Sequence, residues 1–420
     1  MKIMSIGAAL ACTCCPVFAA LPVGRGELSF SATALAASDS NINGTHVAQS
    51  DSYGTFTPLA RYQRKAGLIE AEASLAITFL RFAEQTQFDA ENLAADLTFR
   101  LREDPTQKLS GSATAGYHET SEVNADLNAR VRAKATTFSG TGALLTGPRT
   151  RFGADFSRSD ITRSGAGDQQ LLHGELRFDY EGFLEDTTLR LAYDHDEART
   201  SGDNLRSVPL DQTAHQFLLS LGKPLYRDVI GRLGVGYRLL DRSAAETASG
   251  ETRVAGTIVI ATIEGPFLPP RYFPKIKSRL TLSYQDAAAP GVNDTGAKSL
   301  AGSLSLIWQA RDTTAISLVA DRLQRLTAND LTAVSTGAHL HVEQTLRYNL
   351  TGSLSAGYAR EVFRGVTRSD RRKSAEAGLT YHFARTWDAS ASGRFESVTS
   401  SEQLSAYNRR IALLSVSHTF

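Results

Sequence analysis

The sequence predicts an all-β protein, a transmembrane antiparallel up-and-down β-barrel of about 18–20 strands with both termini in the periplasm. Three observations predict it. Apolar and polar residues alternate with a period of two along nearly the whole chain. Short turns and longer polar loops take turns between the alternating runs. The last run is amphipathic and closes on an aromatic residue, Phe420.

In chain order, the first element is a leader at residues 1–19, ahead of a barrel over residues 20–420. Lys2 supplies the positive end, Ile3 to Cys15 the apolar stretch, and Val17-Phe18-Ala19 the small-residue cleavage pattern. Cleavage is expected after Ala19, with Ala20 as the alternative. A lipid-modified form at Cys12 is disfavoured, because Ala9 stands where a larger aliphatic is usual. All three cysteines (Cys12, Cys14 and Cys15) fall in the leader. The processed chain is therefore expected to have no disulfide framework, thiol catalysis or thiolate metal site.

The chain holds 45 basic and 44 acidic residues, and loss of Lys2 with the leader leaves 44 of each. That balance disfavours nucleic acid as a partner. No later stretch approaches the roughly 20 apolar residues of a spanning helix. A barrel needs only every second residue to face lipid, so a mean hydropathy of −0.21 is compatible with a membrane location.

The period decides the fold. Ile69, Ala71, Ala73, Leu75, Ile77 and Phe79 oppose Glu70, Glu72, Ser74 and Thr78. Leu93, Ala95, Leu97, Phe99 and Leu101 oppose Asn92, Asp96, Thr98, Arg100 and Arg102. Ala125, Leu127, Ala129, Val131, Ala133 and Ala135 oppose Asn124, Asp126, Asn128, Arg130, Arg132 and Lys134, so Val123 to Thr146 reads as one long strand or two. A helical period would scatter those charges around an axis. The alternation recurs from Leu172 to Tyr180, Leu189 to Asp196, Leu233 to Leu239, Ala375 to Phe383 and Trp387 to Glu396. Gly256 to Ile263 is apolar on both faces.

Short turns are expected at Lys65-Ala66-Gly67, Glu103-Asp104-Pro105, Gly147-Pro148, Leu184-Glu185-Asp186, Tyr226-Arg227-Asp228, Arg311-Asp312, Tyr348-Asn349 and Arg385-Thr386. Both tryptophans, Trp308 and Trp387, stand beside such turns, where an interfacial girdle would lie. One connection on the same side, Gly265 to Pro274, is long and proline-rich. Few residues separate the leader from the first strand, Glu27 to Ala37, which leaves no room for a plug domain or a fused helical scaffold.

A lipid-facing charge costs about 2–4 kcal/mol at mid-membrane, so the charged faces are assigned to a wet lumen. Arg100, Arg102, Arg130, Arg132, Lys134, Arg149 and Arg151 give one sector a basic bias. Glu175, Asp179, Glu181, Asp194 and Asp196 make its neighbour acidic. Pairing across strands explains such a distribution better than a transverse field. Catalytic and metal constellations are weak. His339, His341 and Glu343 share a face and Asp39-Ser40-Asn41 forms an acidic turn, but solvated lumen and loop chemistry account for both. No enzyme activity, cofactor or metal is expected.

In the final run, Leu414, Val416 and Phe420 share one face, and the terminal aromatic resembles the signal that outer-membrane barrels present to their insertion machinery. At the front, Ser38-Asp39-Ser40-Asn41-Ile42, Phe56-Thr57-Pro58-Leu59-Ala60 and Phe79-Leu80-Arg81-Phe82 follow a first strand. These segments resemble the family of outer-membrane β-barrel porins associated with exopolysaccharide secretion, whose first strand runs into a similar Asp-Ser-Asn turn. The resemblance implies a barrel through which a polysaccharide, or its export machinery, crosses the outer membrane, with outer-membrane lipids around it. Export would need separate periplasmic partners, with Gly265 to Pro274 as the candidate docking segment. Two features depart from the pattern: His418 replaces a large apolar residue of the terminal signal, and the inward face lacks an aromatic lining. A general diffusion porin for small hydrophilic solutes is the alternative. An adhesive surface barrel and an outer-membrane enzyme stand further behind.

Overall fold

A computed structural model describes residues 21–65, 67–101, 108–124, 127, 129–164, 166–201, 211–242, 253–269, 271–285, 299–326, 332–363 and 366–420. The leader, Arg102 and the turn at Glu103-Asp104-Pro105 lie outside the described residues. A short β1 (Leu21–Val23) folds back on β2 (Gly26–Asp39). There follow β3 (Asp51–Arg64), β4 (Ile69–Phe82), β5 (Ala90–Leu101), β6 (Leu109–Asn124), β7 (Ala129–Gly147), β8 (Thr150–Arg163) and β9 (Gln169–Glu181). Next come β10 (Thr188–Thr200), β11 (Asp211–Tyr226), β12 (Val229–Arg242), β13 (Arg253–Glu264), β14 (Ile276–Gln285) and β15 (Ser299–Arg311). The last are β16 (Thr314–Leu326), β17 (Thr332–Arg347), β18 (Leu350–Phe363), β19 (Ser369–Ala384), β20 (Trp387–Ser400) and β21 (Tyr407–Thr419).

Each strand from β2 onward pairs antiparallel with its sequence neighbour, and β2 pairs with β21, so the sheet closes as a 20-strand barrel. Closure leaves no open edge. Among the described residues there is no α-helix. Among the described residues, Leu21, Phe420 and the short turns share one rim, called lower here; the other rim is upper. The expectation of about 20 strands holds, with one boundary moved. Val123 and Asn124 belong to β6, which turns back before Ala129, so the run from Val123 to Thr146 is not a single strand.

The register separates two faces. Leu144, Phe152, Phe178, Leu191, Leu219, Val235 and Val259 are successive cross-strand partners and form an apolar row around the outside. On β21, Asn408, Arg410, Ala412, Leu414 and Val416 are exposed, whereas Tyr407, Arg409 and Ile411 between them are buried toward the inside. At the lower rim Trp387 lies 4.2 Å from the His418 ring, which meets Phe420 edge-on at 4.3 Å. His418 thus takes the place of an aromatic in the girdle, and its amphipathic ring suits an interface.

The proline-rich connection between β13 and β14 is folded back on the barrel. Phe273 packs edge-on against Trp308, and the Trp308 indole donates to the Pro274 carbonyl. Gly265 starts it at φ +119°, with space for a Cβ occupied by the Asp228 carbonyl oxygen at 2.2 Å. Gly265→Ala is expected to destabilise the barrel by about 1–3 kcal/mol. The midpoint of urea unfolding in lipid vesicles checks this.

Candidate functional site: the inner wall and the upper rim

Six of the candidate lumen residues share the inward face. Arg100 lies beside Glu70, and Arg151 beside Asp179, as register partners. Asp179 accepts two hydrogen bonds from Arg190, at 2.5 and 2.9 Å. Asp194 accepts one from the Gln216 amide at 2.9 Å, and Asp196 is held by His173 at 2.7 Å. Arg177 reaches Asp155 at 2.7 Å and Glu175 at 3.8 Å. The acidic sector is therefore answered within its own wall, by Arg190 and Arg177 and by Gln216 and His173. The arrangement is a ladder of local pairs, each worth a fraction of a kcal/mol, rather than a ring of one sign.

Four of the other candidates stand elsewhere, and Arg102 lies outside the described residues. Arg149 sits in the lower turn between β7 and β8, beside Gly182. Arg132 and Lys134 are register partners of Ser121 and Glu119 and lie in line with Phe138 and Leu144, which is the outer face. Both pair with Glu119, at 2.9 and 3.4 Å. Ala129, Val131, Ala133 and Ala135 face inward instead. The physical reason is height. This hairpin continues above its last pairing with β5, at His118, and stands above the apolar row. There both faces are wet, and alternation no longer distinguishes lipid from lumen.

Arg130 belongs to a buried cluster at the upper rim. Its guanidinium lies 5.0 Å from the Phe82 ring and donates to the carbonyls of Ile42 and Ser121. Ile42 is fully buried with Leu80, Phe82 and Ala90, flanked by Tyr53 and Phe88. The loop after β2 is thus folded down rather than free in solvent. Asn41 holds its shape, accepting from the Gly44 amide at 3.1 Å and donating to the carbonyls of Thr45 and Asn408.

Asp39 supplies the centre of this cluster. It is 0% exposed and accepts from the Arg409 guanidinium at 2.6, 3.0 and 3.1 Å and from the Asn41 amide at 3.0 Å. The pair joins the first barrel strand to the last. Ser40 adds a backbone bond to Arg410 on the same seam, and below it the Phe420 amide donates to Phe30. The Asp39-Ser40-Asn41 turn therefore clasps the barrel shut. Both carboxylate oxygens are thus engaged within the seam. Further along the rim, Arg368 pairs with Asp370 at 2.7 Å, and the Tyr407 hydroxyl donates to Glu396 at 2.8 Å. Sequence reasoning missed all three: Arg409 meets Asp39 only when the barrel closes, whereas Arg368 and Tyr407 have local partners that no alternation pattern singles out. His339 and His341 face inward on β17, where His341 bonds the Ser355 hydroxyl at 2.8 Å.

Comparison with known proteins agrees with this architecture. The model of the family described as "Putative beta-barrel porin 2" matches residues 283–420. Among solved structures, the chain is similar to the ferric citrate transporter FecA in the unliganded form, at 9% identity over 93% of this chain and 78% of that one, with a TM-score of 0.51. It is likewise similar to the FrpB iron transporter from Neisseria meningitidis, at 10% identity over 93% and 81%, with a TM-score of 0.51. Pseudomonas aeruginosa OpdK with vanillate shares 11% identity over 94% and 99%, with a TM-score of 0.41. At these identities the likeness is one of fold. No curated protein matches the chain. Fold and family match together describe an outer-membrane, multi-pass β-barrel of channel-like architecture.

Proposed function

We propose that the barrel carries an exopolysaccharide, or docks the machinery exporting it, across the outer membrane. The inner wall is the observation that supports this reading. Its acids and bases pair locally along β8 to β11, leaving a hydrated lining without an anchoring constellation. A polymer must slide, so contacts have to be weak and repeated rather than tight and single. The Asp39-Ser40-Asn41 turn adds a resemblance at the front of the chain.

In this reading the lower rim faces the periplasm and the leader is removed after Ala19. Leu414, Val416 and Phe420 address the insertion machinery. Periplasmic export partners meet the segment Gly265 to Pro274, where Tyr272 is exposed. No chemical step, cofactor or metal is assigned to the barrel.

The same lining also suits a general diffusion porin for small hydrophilic solutes. Surface and periplasmic polysaccharide, measured in a deletion strain and its complemented counterpart, separates the two. Export predicts that surface polymer falls on deletion and returns with the gene. Unchanged polymer together with slower uptake of small solutes would replace the export reading with the porin one.

A further inference from the structure

On the outer face near the upper rim, most cations have an acid beside them. Arg81 pairs with Glu91, Arg132 and Lys134 with Glu119, Arg158 with Asp160, and Arg253 with Asp241. Arg199 pairs with Glu197. Strands β18 to β21 break that habit. Arg360, Arg371, Lys373 and Arg410 all project from the outer face and are exposed, and among the described residues no carboxylate pairs with any of them. Arg360 and Arg371 are direct register partners. Like charges directly opposite on one face of a sheet destabilise it. Lys373 follows two residues on from Arg371, and Arg410 lies two strands away, about 10 Å across the sheet.

Toward mid-membrane, two residues on from Arg410 along β21, four from Lys373 along β19 and eight from Arg360 along β18, the same strands carry small side chains. Gly352, Ala377, Gly393 and Ala412, bordered by Leu354 and Leu414, line an outward-facing apolar groove of about 1190 Å³ that continues onto β2 and β3. A patch of four unanswered cations above an apolar groove is complementary to an amphiphile with several negative charges and more than one acyl chain. We propose that this face binds one molecule of a phosphorylated, multiply acylated glycolipid of the outer leaflet. Its phosphates lie among Arg360, Arg371, Lys373 and Arg410, and its acyl chains lie in the groove. Basic residues near an anionic headgroup reinforce one another, so four act together strongly. The groove gives the chains a fixed seat, which a phosphate ion alone could not use.

The assignment rests on an outer-membrane location with the upper rim outward, and not on what the lumen transports. The test uses the full processed chain, folded in detergent, with binding read by native mass spectrometry. The probes are diphosphorylated hexa-acyl lipid A, its dephosphorylated form, phosphatidylglycerol and inorganic phosphate. Selective retention of the diphosphorylated lipid is expected. The variant R360S/R371S/K373S/R410S, all exposed positions, should hold it more than about tenfold less well while keeping its resistance to unfolding in cold SDS. A second variant, Gly393→Leu with Ala377→Leu, fills the groove and should weaken the lipid without creating phosphate binding. Equal retention by wild type and the four-site variant overturns the proposal, as does equal binding of all anionic probes or of phosphate alone. Conductance plays no part in the readout, so failure of the export reading leaves this result interpretable.

Discussion

Arg409→Ala is expected to be the most damaging single substitution in the barrel. It leaves the Asp39 carboxylate, 0% exposed, without its cation, while the Arg409 side chain it removes is itself only 11% exposed. Breaking a buried pair by deleting one partner costs about 3–5 kcal/mol, because the remaining charge is stranded away from water. Asp39→Ala should cost about the same from the other side. The double variant should lose clearly less than the sum of the two, since each single loss contains the same stranded-charge penalty. Unfolding of the vesicle-embedded barrel in urea, followed by the shift between compact and extended forms on unheated SDS gels, measures all three. Additive losses would mean that Asp39 and Arg409 act separately, and the clasp would be wrong.

The second large effect separates the faces of a single strand. Leu97 and Thr98 are adjacent on β5, with Leu97 outward and exposed and Thr98 inward. Leu97→Arg puts a guanidinium into hydrocarbon and should cost about 2–4 kcal/mol if it lies near the bilayer midplane. Thr98→Arg places the same group in the lumen among Glu72 and Asp96, and its effect should stay within about 1 kcal/mol. Vesicle insertion yield and urea midpoint report both. A reversed order would invert the inside and outside of the barrel.

Much of this fold is written in the period of the sequence. The alternation at Ile69 to Phe79 and Leu93 to Leu101 gave strands, direction and face, because within the apolar band a charge can point only one way. Turn chemistry placed the short connections, and the strand count followed. What stayed hidden depends on height or on closure. Arg130, Arg132 and Lys134 alternate as regularly as any residues in the chain, yet they stand above the band, where that regularity carries no information about lipid. The Asp39-Ser40-Asn41 turn was visible as a motif. Its partner Arg409 is 370 positions away, and no local pattern couples the two. The lipid-facing patch was hidden for a similar reason. Arg360, Arg371, Lys373 and Arg410 look unremarkable in sequence until register lines them up without an acid between them.

The clasp also has a meaning in time. Asp39 stands on the first barrel strand and Arg409 on the last, so the carboxylate has no cation until β21 is in place. A chain cut short before Arg409 would possess nineteen of the twenty walls and still carry a charge that burial penalises. Arrival of the closing strand is thereby read out by one ion pair. An incomplete copy is disfavoured from sealing, and a leaky ring in the membrane is avoided by the same bond that holds the finished one closed.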